Sequence, residues 1–320
     1  MQELIHDVFV RAFQNPMLAP LHDGATWPVE KGMLAFTTDS YVVRPLFFPG
    51  GDIGSLAVNG TINDLAMCGA KPLYLSVGFI LEEGLSLDVL RRVVSSMAEA
   101  ARAAGVPIVT GDTKVVDRGK GDGIFITTSG VGLVPDGIRV LPALIEPGDA
   151  ILVSGDLGSH GVAVLSVREG LTFDGHVESD SAPLHHIVSE LIDNGIEIHC
   201  LRDLTRGGLA SILNELAAAA KVGMVVEEPA VPVSEPVRGA CELLGLDPLY
   251  VANEGRFVAM VPDSHAEAAL AVMRRHEAAR QAAHIGMVTD RDPPTVVLRT
   301  VIGTHRVLDL LSGEQLPRIC

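Results

Sequence analysis

Aromatic side chains are scarce, 4% of 320 residues, so Ala, Val, Leu and Ile must fill the cores. Positive charge is short as well: 24 Lys and Arg stand against 40 Asp and Glu, a formal net charge of −16. With no basic block, nucleic acid and anionic membrane are excluded as primary partners. Only four cysteines occur, Cys68, Cys200, Cys241 and Cys320, without a C-x-x-C spacing or a disulfide framework. No apolar run reaches spanning length, because the most apolar helical stretch, Leu209 to Val226, contains Asn214, Glu215 and Lys221. No basic segment followed by an apolar core opens the chain, so the expectation is a cytoplasmic protein. Also missing are the P-loop, the G-x-G-x-x-G turn after a strand, H-E-x-x-H and G-x-S-x-G, which removes the main support for the corresponding enzyme classes.

What is present describes a compact, loop-rich globule. The chain is long enough for one large or two medium domains with real cores. A helical period runs from Leu4 to Phe13 and stops at Pro16. Strands are expected at Leu34–Val43, Leu73–Leu81, Val106–Thr110 and Ile124–Val134, with a helix at Ile53–Met67. Ser86 can cap a helix whose stripe is Leu87, Leu90, Val93, Val94, Met97 and Ala101, closed by Gly105. Punctuation thickens from Pro135 to Asp149 and places a domain boundary near residue 140. Beyond it, strands are expected at Ile151–Ser154, Phe257–Val261, Ile285–Val288 and Val296–Val301. Helices are expected around Val162–Arg168, His185–Asn194, Gly208–Lys221, Pro236–Leu244 and Ser264–His276. Strands and helices mix without a strict βαβ rhythm, so the fold class is α/β of the α+β kind, not a doubly wound sheet.

Three aspartates, Asp39, Asp64 and Asp112, stand at strand ends or at the polar edge of apolar segments. Hard carboxylate oxygens suit magnesium shared with nucleotide phosphates; the alternative is that each caps a turn. Thr110-Gly111-Asp112-Thr113-Lys114 adds a glycine for close approach and a cation for a phosphoryl group. The turns Pro49 to Gly54 and Arg202 to Gly208 each open a helix and offer either an anion site or an ordinary capped start. Glu254, in Asn253-Glu254-Gly255, offers a general base, or else a solvated turn carboxylate. His185 and His186 are adjacent and not four apart, which gives no zinc site. Cys320 puts a thiol on the last residue, either a swinging carrier or an incidental end. Its own carboxylate should raise the thiol pKa, with Arg318 acting in the other direction.

These pieces, in this order, resemble the HypE family of hydrogenase-maturation carbamoyl dehydratases over essentially the whole chain. The most specific blocks are Thr38 to Val43 with Pro45 to Gly51, Gly78 to Gly84, Thr110 to Val116 and Arg202 to Gly208. Cys241 to Asp247, Asn253 to Gly255 and Pro317 to Cys320 add to them. The wider superfamily includes aminoimidazole ribonucleotide synthetase, selenophosphate synthetase and thiamine-monophosphate kinase. The resemblance implies a two-domain synthetase-like fold whose N-terminal domains pair into a shared β-barrel in a homodimer. It divides the chain into an ATP-binding and dimerisation domain (1–140), a C-terminal α/β domain (141–308) and a flexible tail (309–320) that ends in the carrier cysteine.

It further implies ATP and magnesium held without a P-loop: Asp39, Asp64 and Asp112 as magnesium and ATP carboxylates, with Asn63, Gly111 and Asp203 in the same cradle. Cys320 would receive a carbamoyl group from the carbamoyltransferase HypF. ATP-dependent dehydration would turn it into a thiocyanate, with Glu254 as base and Lys114 as charge stabiliser, and cyanide would pass to a HypC–HypD scaffold complex. The tail is expected to swing on a Ser312-Gly313 hinge, extended for loading and folded in for dehydration. Family members carry a His-Gly-Ser-Gly-Gly type segment just before the stretch matching residues 1–5. This sequence starts where that segment ends, so part of the phosphate-binding N-terminus is expected to be absent. Two rival readings remain at this point: a small-molecule kinase or synthetase of the same superfamily, and a non-catalytic carrier.

Overall fold

The computed structural model describes residues 25–28, 31–171, 177–290, 293–310, 316 and 319–320. The expected first helix, the hinge at Ser312-Gly313, Pro317 and Arg318 lie outside the described residues. The first sheet is built from β1 (Ala25–Pro28), β2 (Met33–Tyr41), β5 (Lys71–Glu82), β6 (Ile108–Val116) and β7 (Ile124–Val134). Its order is β1-β2-β7-β5-β6, antiparallel except where β5 and β6 run parallel. A two-strand ribbon, β3 (Phe47–Phe48) with β4 (Gly51–Asp52), precedes helix α1 (Ile53–Met67). Along β7 the residues Ile124, Ile126, Thr128, Gly130, Gly132 and Val134 are buried, alternating with less buried neighbours, so one face of this sheet is covered.

The cover is α1 and α2 (Leu87–Ala104). Nearly every residue of α1 is buried, as expected of a helix apolar all round that packs on more than one side. Asp52 caps it by accepting from the N–H groups of Gly54 and Ser55, 2.7 and 3.1 Å. That carboxylate already occupies the helix start, so the turn Pro49–Gly54 is a capped start and not an anion site. In α2, Ser86 and left-handed Gly105 bound the helix where the sequence places them. The buried stripe is narrower than expected, Val93, Met97, Ala101 and Ala104, while Leu87 and Val94 face solvent.

The second sheet contains β8 (Asp149–Val153), β9 (Cys200–Asp203), β10 (Gly223–Glu227), β11 (Phe257–Pro262), β12 (Ala283–Thr289), β13 (Val296–Arg299) and β14 (His305–Val307). The order is β14-β13-β10-β12-β8-β11-β9, with β10 and β13 parallel among antiparallel neighbours. The helices of this half are α3 (Ser159–Glu169), α4 (His185–Asp193), α5 (Gly208–Ala220), α6 (Glu235–Leu244) and α7 (Asp263–Met273). Period-two alternation sorts the central strands between two layers. Ile151, Val153, Val258 and Met260 face α5; Ala150, Leu152, Phe257 and Ala259 face α4 and α7.

Three segments differ from the sequence expectation. Beyond the helix expected at Gly208–Lys221, which is α5 ended by Lys221 at φ 59°, the apolar run continues as an unexpected strand, β10 from Gly223. Cys200–Asp203 is a strand whose Arg202 and Asp203 pair with Val258 and Phe257 of β11. The strand expected to end at Thr110 runs on to Val116, so Thr110 to Lys114 is the body of edge strand β6, where a Cβ on Gly111 would press on the Val77 carbonyl oxygen. Among the described residues no helix is long and apolar enough to cross a membrane.

Candidate active site

Glu254 is the centre of the site, and the fold works to bury it. The turn that carries it is hung from Asp180, whose carboxylate accepts from the N–H groups of Glu254 and Gly255, 3.1 and 3.3 Å. A Cβ at Gly255 would collide with the Asp180 carbonyl oxygen, so only glycine lets the turn lie this close. Asn253 locks the other side, accepting from Gly158 N–H at 2.8 Å and donating to the Leu204 carbonyl at 3.0 Å. The Glu254 side chain is 4% exposed and its Oε1 has no hydrogen-bond partner. Burial, then Asp203, Asp180 and Asp39, push its pKa well above the usual carboxylate range, and Arg206 opposes them. A solvated turn carboxylate is therefore the wrong description of Glu254.

Cys320 lies against this group. Its main-chain oxygen accepts from Val42 N–H at 3.2 Å, and Arg206 Nη2 donates to its Sγ at 3.5 Å. Leu316 and Ile319 are buried in the core shared by α1, α3 and α6. Burial, then Glu254, push the thiol up to about 11, with Arg206 lowering it. The cysteine is thus docked, the folded-in position of the expected swing, with the Arg206 guanidinium beside it.

Asp39 and Asp64 approach the same place from the first half of the chain. Asp39 accepts from the Tyr41 hydroxyl at 3.0 Å, and Asp64 from Thr37 Oγ1 at 2.7 Å. Tyr41 is held neutral by burial and by Asp39, Asp64 and Glu254, which places all three carboxylates in one electrostatic neighbourhood. Asp203, buried at the end of β9, adds a fourth. So many carboxylate oxygens around one guanidinium is a donor chemistry that suits a hard divalent cation. The start of α5 has no side-chain cap, unlike that of α1, and its Arg206-Gly207-Gly208 turn faces the same group of residues.

Asn63 and the trio Gly111, Asp112 and Lys114 occupy different settings. The Asn63 amide is wholly taken up by main chain: Nδ2 donates to the carbonyls of Ala182 and Glu254, 3.0 and 3.3 Å, and Oδ1 accepts from Leu184 N–H at 2.8 Å. It pins α1 to the Glu254 turn, which gives it a positioning part in the site. Asn63→Ala should cost about 2–4 kcal/mol, because three buried main-chain groups lose their partner. Urea unfolding checks this; a midpoint equal to the unsubstituted chain's would contradict it.

Asp112 and Lys114 pair with each other at 2.8 Å on the exposed β6 edge. That bond and the Thr113 N–H hold the Asp112 carboxyl below its usual range. Register puts Asp39, Thr128, Val77 and Gly111 in one row across the sheet. Three strand spacings of about 4.8 Å then separate β2 from β6, roughly 14 Å. Within one chain Asp112 therefore stands apart from Asp39, on the opposite side of two intervening strands.

Sequence reasoning missed Arg206 as an individual residue, Asp180, Tyr41 and His160. His160, in the first turn of α3, lies within 2.8 Å of both Ser179 Oγ and the Ile319 carbonyl oxygen. The adjacent His185 and His186 stack at 3.8 Å, and His185 is lowered to about 4 by burial. A second cluster, Glu146, Asp149 and His199, is braced internally, with the Asp149 carboxylate accepting from His199 Nδ1 at 2.8 Å and Glu146 N–H at 3.0 Å.

A two-sheet chain with an acidic, P-loop-free cleft between its halves defines a class. Residues 21–134 match the AIR synthase related protein N-terminal domain and residues 146–299 its C-terminal domain. Within that class the chain belongs to the HypE family of carbamoyl dehydratases. The carbamoyl dehydratase HypE of Azotobacter vinelandii is 56% identical over 320 residues, 100% of this chain and 94% of that protein. A crystal structure of a HypE–HypF complex is 47% identical with TM-score 0.92, covering 96% of this chain and 99% of that one. A HypE crystallised in complex with ATP is 53% identical with TM-score 0.88, covering 100% and 96%.

Proposed function

We propose that this chain uses ATP to dehydrate a carbamoyl group carried on Cys320, giving a thiocyanate that supplies cyanide for hydrogenase maturation. The observation that carries the reading is the docked thiol, 3.5 Å from Arg206 and beside a buried carboxyl whose Oε1 lacks a partner. An oxide is a poor leaving group from a thiocarboxamide, –S–C(=O)–NH2. Transfer of the ATP γ-phosphoryl group to the carbamoyl oxygen makes the leaving group phosphate. Two protons must leave nitrogen and the C–O bond must break. The products are –S–C≡N, ADP, phosphate and one net proton. Glu254 is the acceptor: once ionised, a carboxylate with so raised a pKa is a strong base, and the C–N bond order rises as its proton moves. Arg206 steadies the negative charge that grows on oxygen. Magnesium, held by Asp39 and Asp64, would offset the charge of the transferring phosphoryl group.

We assign ATP binding and dimerisation to residues 1–140, the remainder of the cleft to 141–308, and the carrier tail to 309–320. Strand β6 is exposed along almost its whole length, with Val109 and Val115 at 58% and 68%, which favours a second copy pairing on this edge. The uncovered face of the first sheet would then close into a shared barrel, and each Asp112–Lys114 pair would reach the partner's side of the interface. Sedimentation as a monomer at micromolar concentration would count against this pairing. The ATP-bound and HypF-bound relatives support ATP and HypF as partners here. In this reading the cyanide acceptor is a HypC–HypD complex.

Intact mass tests the reading. Loading by the carbamoyltransferase should add about 43 Da to Cys320, and magnesium ATP should convert this to about 25 Da, the nitrile. An adduct that ATP leaves unchanged would mean a carrier only. ATP turnover that needs a diffusible substrate and no adduct would mean a small-molecule kinase.

A further inference from the structure

A fully buried imidazole needs a partner for each ring nitrogen. His160 is 0% exposed, and its partners fix its tautomer. The Ile319 carbonyl can only accept, so Nε2 carries the proton and donates to it at 2.8 Å. Nδ1 therefore accepts, and the Ser179 hydroxyl donates to it at 2.8 Å. Ser179 Oγ in turn accepts from Ser181 N–H at 3.1 Å, and Ser179 N–H donates to the Pro49 carbonyl at 2.8 Å. Every proton in the chain is accounted for. Phe48 stands edge-on to the ring at 5.3 Å, and burial holds the imidazole pKa below its ordinary value, so it stays neutral.

We propose that His160 is the positioning residue that latches the carrier tail in the reaction cleft, its Nε2–H holding the Ile319 carbonyl so that Cys320 rests beside Glu254 and Arg206. This rests on the reading of Cys320 as carrier. The bond goes to the main chain of the residue just before the carrier, so it sets the position of the sulfur whatever the sulfur bears. The other ring nitrogen is tied to the segment whose Asp180 accepts from Glu254 N–H, so carrier and base are referred to one support. A second bond, from Val42 N–H to the Cys320 main-chain oxygen, fixes the end of the tail just beyond β2, the strand that carries Asp39. At Gly161, in the first turn of α3, an added Cβ would press on Val251 Cγ1 and stand 3.2 Å from Leu316 Cδ1, so Leu316 of the tail packs directly on this turn. Undocking breaks the Nε2–H bond to Ile319, which biases the tail inward between visits to other proteins.

Iodoacetamide labelling of the full chain, read peptide by peptide, tests the latch. Cys68, Cys200 and Cys241 are buried and report unfolding. His160→Ala should expose Cys320 to alkylation about tenfold faster, the worth of one buried hydrogen bond. The variant should accept the carbamoyl group at an undiminished rate and convert it to the nitrile about tenfold more slowly in a single turnover. His160→Gln, whose amide can donate to the same carbonyl, should restore both. Cys320 protected in His160→Ala as in the unsubstituted chain, or as exposed in His160→Gln as in His160→Ala, would overturn the latch. If His160→Ala labels the buried cysteines, Ser179→Ala decides: it keeps the ring, removes the proton donor to Nδ1, and must expose Cys320 at least in part. If the unsubstituted chain never forms an adduct on Cys320, the carrier reading fails, while the labelling still decides the docking.

Discussion

Glu254→Gln should load Cys320 normally and then stall, with conversion of the carbamoyl adduct slowed by about 10²–10⁴, the usual worth of a general base. The amide keeps the shape and the burial of the side chain and removes only its ability to take a proton. In the unsubstituted chain, single-turnover conversion should climb with pH as Glu254 ionises, because only its ionised form accepts. The substitution should remove that climb. Quench and mass analysis at a series of pH values reads both effects, and normal conversion by Glu254→Gln would take Glu254 out of the chemistry.

The same substitution has a consequence for stability, of opposite sign to its effect on rate. Burial, Asp203, Asp180 and Asp39 raise the folded pKa of Glu254, whereas the unfolded chain ionises near the ordinary value. Between the two, the unfolded state binds fewer protons than the folded one. Stability from this group is complete below the unfolded pKa and is lost as pH rises toward the folded pKa. Glu254→Gln should therefore melt higher than the unsubstituted chain at pH 7, by about 2–4 °C for each kcal/mol relieved, with the gap closing near pH 4. A variant that melts lower at pH 7 would mean that the carboxyl is satisfied by a partner, contrary to its unpaired Oε1.

How much of this was legible in the sequence depended on whether the signal was local. Ser86 and Gly105 bound α2 where capping chemistry puts them, and Ile53–Met67 is the helix its apolar run implies. Asp39, Asp203, Glu254 and Cys320, scattered over 282 positions, could be grouped only through the resemblance, and they meet in one cleft. Failures came where local pattern and tertiary setting disagree. Gly111 and Asp112 break the look of a strand, yet pairing with β5 makes Thr110 to Lys114 one. The helix at Gly208–Lys221 was legible, but the five residues of β10 just beyond its left-handed end carry too short an apolar pattern to announce a strand. Asp180 and His160 carry no sequence signal, because their importance lies in what they touch across 74 and 159 positions. Asn63 was placed in the right cleft, and only coordinates reveal that its amide also ties α1 to the main chain of the Glu254 turn.

Cys320→Ala should abolish the carbamoyl adduct outright while leaving the fold intact. No other described cysteine can replace it, because Cys68, Cys200 and Cys241 are buried and Cys320 alone is half-buried at the cleft. The docked thiol is also poorly nucleophilic, pushed up to about 11 by burial and by Glu254, so loading requires it to leave the cleft, where its pKa returns toward the ordinary value near 8.5. Docking thus keeps an unloaded thiol quiet, and undocking activates it for the carbamoyltransferase. Once the sulfur is acylated it has no proton to lose, and the burial that suppressed the thiol now excludes water from a hydrolysable thiocarboxamide. The alanine chain should bind magnesium ATP with unchanged affinity, show no gain of about 43 Da after loading, and deliver no cyanide. An adduct of that mass on Cys320→Ala would place the carrier elsewhere; loss of nucleotide affinity would mean that the thiol helps to hold ATP. Cys320→Ser sharpens the point, since the hydroxyl keeps the size of the group and its contact with Arg206 but is far too weakly acidic to be loaded. Serine should therefore behave as alanine does, which separates a carrier from a residue that merely packs.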